Sequence, residues 1–263
     1  MNKPGGSSTP VEFENYPQPP IQEAILDIFV TLPVEANIES MRDFAKAIAP
    51  GFPDQKPRYQ FASNIKFNLE DASQSSADAV TSQLGWIFRS VEKERAVQAR
   101  VDGFTFNRMP VYDGWDNFAK EAKKLWEIYR KIAAPEFVTS IALRYINRML
   151  IPLPLKDFRE YCLLFPEFPK GIPNQLNEFL LRFGGPSKTE VGGTSVVTVT
   201  FQPPPPNKAV LPLIIDVHVT KPFPSLPARD EDQIWKAFEL LRIEKNLVFE
   251  ASITDTARKL FRK

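Results

Sequence analysis

FVTSIALRYINRMLIPL, residues 137–153, decides the fold. It reads as one long strand. Phe137, Thr139, Ile141, Leu143, Tyr145, Asn147 and Met149 fall on one face. Val138, Ser140, Ala142, Arg144, Ile146, Arg148 and Leu150 fall on the other, because strand side chains alternate with period two. The first face can bury for most of its length. The second carries Arg144 and Arg148, which therefore point the same way. A mid-chain strand that aims two guanidinium groups outward raises the question of an anion or a partner.

Upstream of it, Gly114–Ala133 reads as a helix. Trp115, Phe118, Ala122, Leu125, Tyr129 and Ile132 recur at steps of three and four, and Asp113 is placed to cap it. Before that, Ala96–Met109 is one strand, or two hinged at Asp102 and Gly103. Gly85–Val91 is a strand, and 71–82 is a polar loop or weak helix. Pro57–Glu70 alternates cleanly as a half-buried strand. A helix spans Ile38–Ala49, capped by Asn37. The first strand is Gln22–Leu32, with Ala24, Leu26, Ile28 and Val30 on one side and Glu23, Ile25, Asp27 and Phe29 on the other. Residues 1–15 are expected to be a flexible tail, rich in Gly, Ser and Pro.

Downstream, Leu155–Phe165 is expected to be a short helix. Asn177–Phe183, Thr194–Phe201 and Leu211–Val219 are strands. Pro203–Pro206 must be an exposed connection, since proline cannot donate to a sheet ladder. The proline-rich 221–228 leads into a final long helix, Asp230–Phe249, and a short one, Thr254–Phe261.

Taken together, the elements suggest an α+β fold of two similar halves, 16–135 and 136–263, each running strand, helix, three or four strands, long helix. The match of Met41–Phe44 with Leu155–Phe158 fits a duplication. Mostly antiparallel sheets with long helices on one face follow. The element order resembles the repeat of TATA-binding-protein-like folds. That likeness implies one sheet built from both halves and carries no function.

Composition removes several function classes. Of 263 residues, Cys162 is the only cysteine and His218 the only histidine. No intrachain disulfide, multi-cysteine metal site or two-histidine zinc site can form. The net charge of +1 argues against a global pull toward nucleic acid or anionic membrane. No apolar run approaches the ~18 residues of a membrane span. MNKPGGSSTP lacks a secretory h-region, so a cytoplasmic location is expected. Gly184-Gly185-Pro186-Ser187-Lys188 and Gly192-Gly193-Thr194-Ser195 lack P-loop spacing and read as hairpin turns. No cofactor and no catalytic residue is assigned.

Three motifs recur in order: Pro19-Pro20-Ile21-Gln22-Glu23-Ala24 entering the first strand, Leu143-Arg144-Tyr145-Ile146-Asn147-Arg148, and Phe249-Glu250-Ala251-Ser252-Ile253-Thr254-Asp255. In these, from Tyr16 to Phe261, the chain resembles a sporadically distributed, uncharacterised bacterial protein family. Sporadic distribution implies horizontal transfer, which suits defence or toxin–antitoxin loci. The resemblance supplies no catalytic residues.

Arg144, Arg148 and Asn147 between them are the first candidates for binding, because guanidinium forks suit carboxylate or phosphate oxygens. Glu23 and Asp27 lie on the same sheet as these arginines if the halves pair through their first strands. The plainer alternative is a ladder of cross-strand ion pairs. Arg100 and Arg108, flanking Phe104 and Phe106, form a second set that could stack bases on an open sheet. Asp216 could in principle orient His218, but neighbours two apart on a strand are ~7 Å apart, too far for a direct bond. The expected function is therefore a non-enzymatic interaction protein with a protein partner or a second copy. Nucleic-acid or nucleotide binding through the arginines, with hydrolysis as an option, is the alternative. A carboxylate enzyme assembled by the fold is a third.

Overall fold

The computed structural model describes residues 13–36, 38–66, 76–167, 169–171 and 178–263. The described residues form a nine-stranded antiparallel sheet and four α-helices. In chain order the strands are β1 (Ile21–Thr31), β2 (Asp54–Lys66), β3 (Ser76–Arg89), β4 (Arg95–Arg100), β5 (Gly103–Arg108), β6 (Phe137–Pro152), β7 (Leu180–Pro186), β8 (Thr194–Phe201) and β9 (Val210–Pro227). The helices are α1 (Met41–Ile48), α2 (Trp115–Ala133), α3 (Glu231–Ser252) and α4 (Asp255–Phe261). The spatial order is β2-β3-β4-β5-β1-β6-β9-β8-β7. The α+β class stands. β1 and β6 pair at the centre of the sheet, with Leu26 opposite Leu143 and Ile28 opposite Ile141.

All four helices pack on one face. Ala24, Leu26 and Ile28 of β1 and Ile141, Leu143 and Tyr145 of β6 bury beneath them, as the alternation requires. Under α1 and α2 the core is aromatic. Phe104 lies 5.9 Å from Trp126 and 5.8 Å from Tyr129, and Phe44 packs 5.6 Å from Phe88. Each ring fully buried contributes about 1.5–3 kcal/mol. Under α3, Ile234, Phe238 and Leu241 cover β6 and β9.

Several expectations are corrected. Residues 76–82 extend as the start of β3 rather than forming a loop; residues 67–75, with Phe67 and Leu69, lie outside the described residues, as do 1–12, Asn37 and Asn177. The helix foreseen at Ile38 begins as a 3-10 turn and becomes α-helical only at Met41. The helix foreseen over Leu155–Phe165 is a single 3-10 turn at Phe158–Glu160, whose first turn Asp157 caps at 2.8 Å from the Arg159 N–H. Asp113 does not cap α2, which starts from Gly114 without a side-chain acceptor. Glu14 is tied to Arg262 at 2.5 Å, so residues 13–15 are anchored rather than part of a loose tail.

Two corrections have a common cause in the neighbours of a strand. β9 runs on through Pro222, Pro224 and Pro227. Its pairing with β8 ends at Thr194–Thr220, so beyond that point β9 has β6 on one side only and can tolerate residues with no N–H. On β6 a bulge falls between Val138 and Ser140 relative to β9. One extra residue re-phases the alternation. Val138 is buried, while Phe137 and Thr139, expected inside, are exposed.

Candidate functional site

The sheet face opposite the helices carries side chains from five strands. Arg144 stands beside Ile25 on β1 and His218 on β9, while Asp27 lies level with Thr105 and Ala142. Glu23 is level with Ile146 and Asp216. Arg148 follows, opposite Ile214. The central pairing of β1 with β6 thus brings Glu23, Asp27, Arg144 and Arg148 onto one face.

Most of the charges there are engaged with one another. Asp216 accepts from Arg144 through both carboxylate oxygens, with Nε at 2.9 and 3.1 Å and Nη2 at 2.6 Å. Those bonds hold the Arg144 guanidinium above its ordinary pKa. Its side chain nevertheless remains 42% exposed. Asn107 donates to Glu23 at 2.7 Å. Thr105 donates to Asp27 at 2.5 Å and accepts from Arg100, whose Nε donates to Asp102 at 2.7 Å. The Arg100 guanidinium also sits 5.3 Å from the Phe29 ring centroid. This is the ion-pair ladder of the plainer alternative, made denser by Thr105 and Asn107.

Arg148 differs. Its Nε is buried with no hydrogen-bond partner, and among the described residues no carboxylate pairs with it. A guanidinium nitrogen that leaves water without an acceptor carries a desolvation cost of about 1–3 kcal/mol or more. The residue as a whole is partly exposed, so an incoming acceptor that draws the side chain outward would remove it.

The other candidates are distributed differently. Arg100 and Arg108 do not share a face. The turn at Val101 and Asp102 makes β4 and β5 a hairpin, so Arg100 sits opposite Gly103 and Arg108 opposite Arg95. Arg100 is nearly buried on the open side, at 8% exposure. Arg108 lies on the helix side, near Asp113 at 3.9 Å. Phe104 and Phe106 are fully buried beneath α2, with Phe106 stacked on Phe118 at 5.2 Å. No base could reach those rings. Asn147 is also on the helix side, donating to the Tyr145 and Ile215 carbonyls at 3.3 and 3.0 Å.

Two members of the network have displaced acidities. Burial pushes the Asp27 carboxyl above its usual range, and the Thr105 hydroxyl and Arg100 only partly offset it. Burial, then the Arg144 charge, pushes His218 below its usual value. For Asp27 the raised folded pKa means that the fold opposes ionisation. This cost is absent at low pH, enters as pH rises through the unfolded carboxylate value of about 3.9, and is complete above the folded value. Asp27→Asn keeps an acceptor for Thr105 and removes the cost. The variant should therefore gain stability relative to the parent as pH rises from about 3 to 7. Thermal unfolding across that range would show it; a difference that stays flat, or turns against the variant with rising pH, would refute it.

Thr105 and Asn107 are not among the candidates the sequence offers, and Asp216 enters there only as a neighbour of His218, not as a partner of Arg144. Asp216 and Arg144 are 72 residues apart, and only strand register brings them together. No protein-family model matches the chain, and no curated protein matches it. No described helix is long and apolar enough to cross a membrane.

Proposed function

We propose that the protein is a non-enzymatic binding protein that holds an acidic segment of a protein partner on the open face of its sheet. The observation that carries this is Arg148, partly buried with its Nε lacking an acceptor, on the same strand face as the half-exposed Arg144 and away from all four helices. A partner carboxylate would give Arg148 the acceptor it lacks, and a second could meet the exposed edge of Arg144 beside Asp216. The partner's remaining contacts would fall on Ile25, Ile146 and the threonines of β8.

The test is binding of a glutamate-rich peptide at low and at physiological salt. Retention at low salt, weakened about tenfold by Arg148→Glu, is the expected result. Absence of any retention at low salt would sink the proposal. Single-stranded oligonucleotide is the second arm. Retention whose steep salt slope flattens in the Arg144→Ala, Arg148→Ala double variant would put phosphate in place of carboxylate and favour the nucleic-acid alternative.

The halves are best understood as a duplication in the TATA-binding-protein-like order. In each, the last strand of the meander returns to pair with the first, β5 with β1 and β9 with β6, and the first strands pair with each other. The resemblance to a sporadically distributed bacterial family supports a cytoplasmic role in a defence or toxin–antitoxin system. Genes adjacent to this one that encode a toxin or a nuclease would agree with that setting.

A further inference from the structure

On the helix side, away from the arginine face, a cavity of about 710 Å³ lies between the 13–21 segment, the start of α2 and the second half of α3. Its volume is in the range of small-molecule sites, roughly 300–1,000 Å³. Tyr16, Tyr112, Trp115 and Tyr145 supply aromatic walls, and Pro17, Pro19 and Pro20 stiffen one rim. The Tyr112 and Tyr145 hydroxyls meet at 2.7 Å.

Most charges in the wall are held by neighbouring groups. Glu14 is held by Arg262, Glu250 by Arg258 and the Tyr16 hydroxyl, and Arg242 by Glu239 at 3.2 Å. Asp113 faces Arg108 at 3.9 Å. Asp116 sits in the first turn of α2, where the helix dipole favours a carboxylate. Lys245 has no such partner: its Nζ lies 3.6 Å from the Tyr145 ring centroid, and no carboxylate among the described residues pairs with it. Burial, aided by Arg242 and opposed by Glu250, pushes its pKa down to about 7. α2 presents its first turn, residues 114–117, to the same cavity with no side-chain cap on its N–H groups. An ammonium that rests on a ring face with no carboxylate partner, and an uncapped helix start, thus face one space.

We propose that this cavity binds a small aromatic anion, a carboxylate or a phosphate monoester, with its charge against Lys245 and the first turn of α2 and its ring among Tyr16, Tyr112 and Trp115. An anion there gives Lys245 the charged partner that no carboxylate among the described residues supplies. The rings of Tyr16, Tyr112 and Trp115 in the lining favour a ligand with a ring over a bare inorganic ion.

Calorimetric titration of the full chain with benzoate, phenyl phosphate and neutral benzyl alcohol tests this. Either anion should saturate, with benzyl alcohol weaker by about tenfold, and the stronger anion identifies the charged group preferred. Lys245→Met should cost about tenfold in anion affinity, with Lys245→Gln as the substitute should the methionine variant unfold. Lys245→Arg should restore most of it, which loss of packing alone would not predict. Lys46→Ala, at an exposed lysine of α1 outside the cavity, should leave anion affinity unchanged. The proposal is overturned by equal binding of benzyl alcohol and the anions, by unaltered affinity in Lys245→Met and Lys245→Gln, by loss of binding in Lys46→Ala, or by absence of heat from both anions at millimolar concentration.

Discussion

Gly85→Ala is expected to lower the unfolding free energy by about 3 kcal/mol, near the upper end for overpacked sites. Gly85 lies on β3 opposite Arg100 of β4. A methyl group built there would stand 2.0 Å from the Ala99 carbonyl oxygen and 2.7 Å from the Arg100 Cα. Both are backbone, so neither can swing aside as a side chain could. The strand pair must open or shift instead. Displacing Arg100 disturbs its bonds to Thr105 and Asp102, and also its carbonyl, which accepts from the buried Tyr129 hydroxyl at 2.7 Å. The loss therefore spreads to the helix packing and to the polar network together. Gly184→Ala is the control. There the nearest atom is the Val196 Cγ2 at 3.1 Å, on a side chain near the sheet edge, and the cost should stay near or below about 1 kcal/mol. Urea unfolding of both variants measures the difference. Equal losses at the two sites would show that the close backbone approach at Gly85 is not what demands glycine.

The second large effect belongs to Glu244. This carboxylate is buried in α3, yet its partners lie in the turn between β7 and β8. It accepts the Lys188 N–H through both oxygens at 3.2 Å and the Thr189 N–H at 3.1 Å. The Thr189 hydroxyl adds a bond to the Leu240 carbonyl at 3.0 Å. The edge hairpin is in this way fastened to the helix layer. In Glu244→Ala the Thr189 N–H keeps the Ser187 hydroxyl at 3.2 Å, but the Lys188 N–H has lost its acceptor. The expected loss is about 2–3 kcal/mol, the range for deleting one side of a charged hydrogen-bonded set. Glu244→Gln retains one acceptor oxygen and should lose about half as much. Hydrogen exchange adds a local readout. The Lys188 and Thr189 amides should exchange faster in the alanine variant, whereas unchanged protection with a loss below about 1 kcal/mol would contradict the anchoring role.

The two proposed binding surfaces differ in how far they could be seen without coordinates. Arg144 and Arg148 were visible because strand alternation is local. Lys245 also left a trace, since it continues the inward stripe Ile234, Phe238, Leu241 at a position where an apolar residue would be expected. A lysine on an inward stripe is a usable sign of a cavity. Asp216 left none, because its relation to Arg144 exists only across β6 and β9. Arg100 and Arg108 were misjudged as one set because a two-residue turn at Val101 and Asp102 sends them to opposite faces. A period-two count carried through that turn cannot detect the reversal.

Periodicity in the chain by itself determined the long strand 137–152, the first strand, the α2 and α3 stripes and the α+β class, since each depends on spacing within a dozen or so residues. Its single cysteine and single histidine also closed off the disulfide and zinc chemistry that needs more. Only the tertiary structure decided that β9 could run through its prolines, that a bulge would turn Phe137 outward, and that Arg144 would meet Asp216 while Arg148 met no carboxylate among the described residues. These outcomes depend on which strand lies alongside and in what register. That choice is made by burial summed over the whole sheet, and no short stretch of residues contains it.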